Sequence, residues 1–195
     1  MVFLLYSEER GTTIMALPST IYRLQLHISN VDRGIYETLQ TTVARHPSET
    51  EERLVARLLA AAVFYEPELS FTKGLSATDE PDLWVKGGDG SVLFWVEVGL
   101  PAAERIVKAS RHSEKIALLA FGKAMANWEQ QHLPKLRKLD NLVLMSVEQD
   151  FIGSLAGQLE RTIEWSVNIT EGTLYLTTGN VTRQTALDFK QGGYT

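Results

Sequence analysis

Two carboxylates stand where chemistry would need them. Glu97 interrupts the apolar run Val92-Leu93-Phe94-Trp95-Val96 just before Val98-Gly99-Leu100. A carboxylate buried without a partner near the middle of a sheet is costly, so this position calls for a cation, a metal or the mouth of a pocket. The simpler alternative is a strand-end residue in water or paired with Arg105. Asp82 follows Pro81 at the head of another strand-like stretch, and a hairpin in suitable register brings it opposite Glu97. Two carboxylates converging on one point are natural ligands for a hard, oxygen-seeking Mg²⁺ or Mn²⁺, which would hold a phosphate and activate water. Without that convergence, Asp79, Glu80 and Asp82 amount to a solvated acidic loop. Lys73, Lys108, Arg111 and Lys115 form a candidate patch for neutralising nucleic-acid phosphates, whereas Lys135, Arg137 and Lys138 are ordinary surface charge.

Several elements must position these residues. Apolar residues of roughly period two run from Thr20 to Ser29 and, after the turn Asp32-Arg33-Gly34, a partner strand spans 35–45; together they predict a β-hairpin. Ser48 and Glu51 have the spacing of a capping box ahead of Leu54, Leu58, Leu59, Ala62 and Val63, which predicts a helix to about Tyr65. Residues 82–86 and 91–98 flank the turn-forming Gly87-Gly88-Asp89-Gly90, giving a second hairpin that carries both acids. Pro101 suits the first turn of a helix running toward His112, on which Arg105 and Lys108 share a face. Beyond it the pattern predicts a buried strand over 116–121, a helix over 123–139 interrupted near Pro134, a buried strand over 141–147, a helix over 148–160 and an antiparallel meander over 162–189. The order implies an α/β protein with a mixed β-sheet flanked by helices, its middle strands buried on both faces.

Whole segments point to a family. Arg45-His46-Pro47-Ser48-Glu49-Thr50-Glu51-Glu52-Arg53, Phe71-Thr72-Lys73-Gly74-Leu75, Asp79-Glu80-Pro81-Asp82-Leu83-Trp84 and Glu97-Val98-Gly99-Leu100-Pro101 are similar to the YaeQ family, a variant of the PD-(D/E)XK nuclease-like superfamily. The likeness covers nearly everything from Met15 onward. It implies a restriction-endonuclease-like core with additional antiparallel strands. Pro81-Asp82 and Glu97-Val98-Gly99 resemble the PD and (D/E)XK elements, with glycine where the motif has lysine. In that superfamily an acid of the first helix often joins the metal and a lost lysine can be supplied by the following helix. The resemblance therefore implies Glu52, Asp82 and Glu97 as metal ligands, and Lys108, with Arg105 as its rival, as the cation acting on phosphate. It implies a small cytoplasmic protein, either a divalent-metal-dependent phosphodiesterase acting on nucleic acid, or a non-catalytic module binding nucleic acid or a transcription-related protein.

Composition is consistent with this and excludes other classes. A length of 195 residues suits one domain, at the usual allowance of about 100–200 residues per domain. We expect residues 1–14, ahead of the pattern that opens at Met15, to be a flexible extension of a single domain spanning 15–195. With no cysteine there is no disulfide and no thiolate zinc site, and the four histidines are scattered. No apolar stretch approaches the roughly 20 residues of a membrane span. The net charge of −5 argues against a surface that attracts nucleic acid all over, while leaving room for a local basic patch.

Overall fold

Tyr22, Leu24, Leu26 and Ile28 alternate with polar residues, so one face of the first strand turns inward. In the computed structural model, which describes residues 18–73 and 79–193, this strand is β1 (Thr20–Asn30). It pairs antiparallel with β2 (Ile35–Arg45) in unbroken register. The turn between them is a single 3-10 turn, Val31–Arg33, closed by Gly34 at φ 67°, a conformation glycine adopts without steric cost. The expected extension at residues 1–14, and Gly74-Leu75 of the family-like segments, lie outside the described residues.

Next comes α1 (Glu51–Val63), in which every residue from Leu54 to Val63 is buried. Its N-cap is Thr50, whose hydroxyl accepts the Arg53 N–H, and not Ser48 as the capping-box spacing suggested. The Ser48 hydroxyl is bonded to His46 Nδ1, and it is Thr50 that has the extended backbone of a cap. The remaining elements are β3 (Ser70–Phe71), β4 (Leu83–Lys86), β5 (Val92–Val98), α2 (Ala103–Ser110), β6 (Ser113–Ala120), α3 (Met125–Leu136), β7 (Leu142–Ser146), α4 (Gln149–Ala156), β8 (Thr162–Thr170), β9 (Thr173–Thr178), β10 (Val181–Ala186) and β11 (Asp188–Gln191). Pro134 lies inside α3 and does not interrupt it; so close to the helix end, its missing N–H removes little of the ladder, and Arg137 N–H closes the last turn on Leu133 O.

The strands form two mixed sheets where the sequence pattern implied one. The first has the order β10-β9-β8-β1-β2, the second β11-β7-β6-β5-β4-β3. The division arises because β8 joins β1 in parallel instead of extending the sheet of β7. The predicted meander holds for β8, β9 and β10, but β11 leaves it to pair antiparallel with β7.

One core lies between the sheets and contains Leu24 and Leu26 of β1, the apolar residues of α1, Phe94, Val96 and Val98 of β5, Phe151 and Ile152 of α4 and Trp165 of β8. Packing on several sides explains why α1 is buried all round. A second core covers the other face of the six-stranded sheet, where Ile116, Leu118, Leu142 and Leu144 meet Ala103 and Ile106 of α2 and Trp128 and Leu136 of α3. The six-stranded sheet therefore has α1 on one face and α2 on the other, and both sequence-predicted acids lie at its β4–β5 end. Among the described residues no helix is long and apolar enough to cross a membrane.

Candidate functional site

Backbone bonds fix Asp82 before its side chain is considered. Its N–H donates to Val96 O at 3.0 Å and its carbonyl accepts the Thr72 N–H at 3.1 Å. The carboxylate is 1% exposed and fully engaged: Oδ1 accepts from Arg53 Nη2 at 2.6 Å and Oδ2 from the Val98 N–H at 2.9 Å. Arg57 Nε stands a further 3.7 Å from Oδ1.

Both arginines come from α1 and belong to a larger network. Arg57 is wholly buried; Nη1 donates to both oxygens of Glu49 at 3.1 and 3.3 Å and to Ala44 O, while Nη2 donates to Thr72 O. Arg53 Nη1 donates to Val98 O at 3.2 Å, and Arg53 Nε lies 4.0 Å from Glu49. Arg53 and Arg57, four residues apart, share one side of α1, and Glu49, just ahead of the Thr50 cap, meets them there. The sequence reading missed this network, since Glu49 entered it only as part of a family-like segment. The available signal was Arg57 itself, a cation set among Leu54, Leu58 and Leu59 that had to find a buried anion.

Glu97, 3% exposed, is held from the opposite face of the sheet. Its Oε1 accepts from Trp95 Nε1 at 2.8 Å and from Arg105 Nε at 2.7 Å, with Arg105 Nη2 also 2.7 Å away. Arg105 Nη2 further donates to Glu80 O at 2.7 Å, tying α2 to the chain just before Asp82. Burial pushes the Glu97 carboxyl above the usual carboxylate range and the negative charge of Asp82 adds to this; Arg105 and Trp95 oppose the rise without cancelling it. Glu97 thus feels the charge of Asp82 although Asp82 is served by α1 and Glu97 by α2.

The remaining predicted residues are dispersed. Lys108 is 72% exposed and its Nζ lies 3.5 Å from Asp79, so it is Arg105 that reaches the acidic residue. Arg105 and Lys108 nevertheless share a cavity of about 280 Å³ with Trp95, His112 and Asp79. Larger hollows of about 560 and 670 Å³ lie along the five-stranded sheet, lined by neither acid. Glu52 turns toward α4, its Oε1 3.7 Å from where a side chain on Gly153 would begin. Lys115 faces the inter-sheet side, 3.3 Å from Glu66 and 5.1 Å over the Phe94 ring, while Arg111 and Lys73 are exposed. Among the described residues no three histidine or carboxylate side chains gather as a metal site would require. Glycine at position 99 has a backbone reason: it sits at φ 92°, where any L side chain is strained.

The YaeQ protein family matches residues 15–187. The chain belongs to the YaeQ family. A Salmonella typhi relative described as "Uncharacterized protein YaeQ" is 36% identical over 163 residues, which cover 83% of this chain and 90% of that protein. The Escherichia coli K12 protein of the same description is 34% identical over the same extent. Two solved YaeQ structures are similar throughout. The crystal structure of YaeQ from Pseudomonas syringae is 42% identical with a TM-score of 0.85, covering 91% of this chain and 98% of that one. The YaeQ structure from Xanthomonas axonopodis pv. citri is 32% identical with a TM-score of 0.86, covering 90% and 99%. The acid–arginine network is therefore carried on a YaeQ scaffold matched over nearly its whole length.

Proposed function

We propose that this YaeQ protein is a nucleic-acid-binding module on a restriction-endonuclease-like core, acting in the cytoplasm, in which the two motif carboxylates hold arginines in place. The observation that carries this reading is the cavity beside Trp95, where Arg105, clamped by Glu97, lies next to Lys108 and His112. A guanidinium fixed by a buried carboxylate is pre-aimed, and an indole with adjacent cations suits a base and its phosphate. Arg111, exposed at the end of α2, extends the basic edge. The carboxylate–arginine pairing speaks for binding over metal chemistry, because a divalent ion at Asp82 would have to displace Arg53 from a 2.6 Å charge-assisted bond.

A divalent-metal-dependent phosphodiesterase is the second reading. It is favoured by the electrostatic coupling of Asp82 and Glu97 and by Glu97 Oε2, which accepts no hydrogen bond from the described residues. That reading requires the carboxylates to leave their arginines on the two sheet faces before Asp82 and Glu97, with Glu52 recruited, could hold Mg²⁺ or Mn²⁺, with Arg105 or Lys108 facing the phosphate. Anisotropy titration of labelled oligonucleotides across a salt series tests the binding module. Lys108→Ala and Arg111→Ala, both solvent-side changes, should each weaken binding and reduce the salt slope by roughly 0.7–0.9. Affinity indifferent to salt and to both substitutions would overturn it. Mn²⁺ titration of wild type and Asp82→Ala decides the second reading: binding lost in the variant supports it, and no binding to wild type removes it.

A further inference from the structure

The sheets have four edges, and three of them are much shorter than the fourth. β3 has two residues, β10 has six, and β11 has four with a register shift against β7. Short or irregular edges are the usual defence against unwanted pairing, as are proline and lysine. β2 has none of these defences. It is eleven residues long, IYETLQTTVAR, with no proline, no lysine and no break in its register with β1.

The free side of β2 follows from one bond. Arg23 N–H donates to Arg161 O beside β8, so odd-numbered residues of β1 turn their peptide groups to β8 and even-numbered ones to β2. Through the pairing Leu24↔Thr41 and Leu26↔Leu39, odd-numbered residues of β2 then face β1. The peptide groups of Tyr36, Thr38, Gln40 and Thr42 point outward, and no further strand of the described residues lies beyond them.

We propose that two copies of this chain pair through β2, antiparallel about a two-fold axis at Thr41, making one continuous ten-stranded sheet from two five-stranded ones. The sequence is self-complementary in this register. Glu37 of each copy stands opposite Arg45 of the other, Leu39 opposite Val43 on the inward face, and Gln40 opposite Thr42. The outward peptide groups of Gln40 and Thr42, and of Thr38 and Ala44, meet as hydrogen-bonded pairs, although Ala44 O is already shared with Arg57. A slip by two residues in either direction loses both charge pairs, setting Glu37 against Val43 or Pro47. Leu39, partly buried at the rim of the inter-sheet core, would be covered by its counterpart.

Sedimentation velocity over a wide concentration range tests this, with the wild type expected to reach twice the 21.8 kDa of one chain. Gln40→Pro removes an outward N–H and none of the backbone β1 ladder, so it should be monomeric and keep the far-UV circular dichroism spectrum of the wild type. Glu37→Lys and Arg45→Glu should each weaken association about tenfold by facing like charges, and an equimolar mixture of the two should recover it as a heterodimer. Amide exchange at Thr38, Gln40 and Thr42 should slow with protein concentration. A wild type that stays monomeric throughout would overturn the proposal. So would a dimer that persists in Gln40→Pro, or a mixture that associates no better than its components.

Discussion

Replacing Arg57 by methionine keeps the aliphatic stem in the core and removes only the guanidinium. That group is wholly buried and meets Glu49 through two contacts of 3.1 and 3.3 Å, Ala44 O, Thr72 O and, at 3.7 Å, Asp82. Its loss leaves Glu49, 2% exposed, with no cation nearer than Arg53 Nε at 4.0 Å. Stranding one partner of a buried ion pair costs about 3–5 kcal/mol, a large share of a typical total stability of about 5–15 kcal/mol. Urea unfolding followed by circular dichroism should show a loss of that size at unchanged m-value. Arg57→Met combined with Glu49→Gln removes the stranded charge and should recover at least about 1 kcal/mol relative to Arg57→Met alone. Arg57→Lys retains the charge without the planar fork and should fall between wild type and methionine, so the series remains readable if Arg57→Met fails to fold. A loss below about 1 kcal/mol for Arg57→Met, or no recovery in the double variant, would refute the claim that this arginine neutralises the buried acids.

Thr50→Ala should cost about 1 kcal/mol through loss of the cap on α1, with Ser48→Ala costing clearly less; chemical denaturation of both variants checks which residue caps the helix. Glu97→Gln tests the raised carboxyl of Glu97. Because its folded pKa lies above the unfolded one, the stability it contributes is full below the unfolded value and is lost as pH rises through the folded one. The variant should therefore gain stability relative to wild type as pH climbs from about 4 toward neutrality; a difference that is flat with pH, or of opposite slope, would count against the assignment.

Much of the chain order was legible from pattern alone. Period two in β1 and glycine-rich turns placed both hairpins, and uninterrupted apolar runs marked β6 and β7 as strands buried on both faces. What could not be read was which strands share a sheet, since the β1–β8 pairing depends on partners far apart in the chain and has no local signal. The site was legible in part for a related reason. Glu97 stood out because it broke an apolar run, and Pro81-Asp82 because it opened a strand. The side chains answering them come from two helices on opposite faces of a sheet. Their identity depends on helix rotation: four-residue spacing aims Arg53 and Arg57 at Asp82 and leaves Glu52 toward Gly153. A similar rotation makes Arg105, and not Lys108, the α2 cation that meets Glu97.

The parallel pairing of β1 with β8 also orders events during synthesis. Ser29 meets Asn168 across a separation of 139 residues, so the first hairpin leaves the ribosome long before the strand that flanks it. At translation rates of about 5–20 residues per second, this interval is roughly 7–28 s. For most of it, the inward face of β1, with Leu24, Leu26 and Ile28, lacks Trp165 and Val167 of β8 and the whole of α4, and its second edge is open as well. The nascent chain thus carries a sticky, half-built sheet through most of its elongation. Prolonged exposure of apolar surface during synthesis is the cost of a topology that leaves its first hairpin waiting for β8.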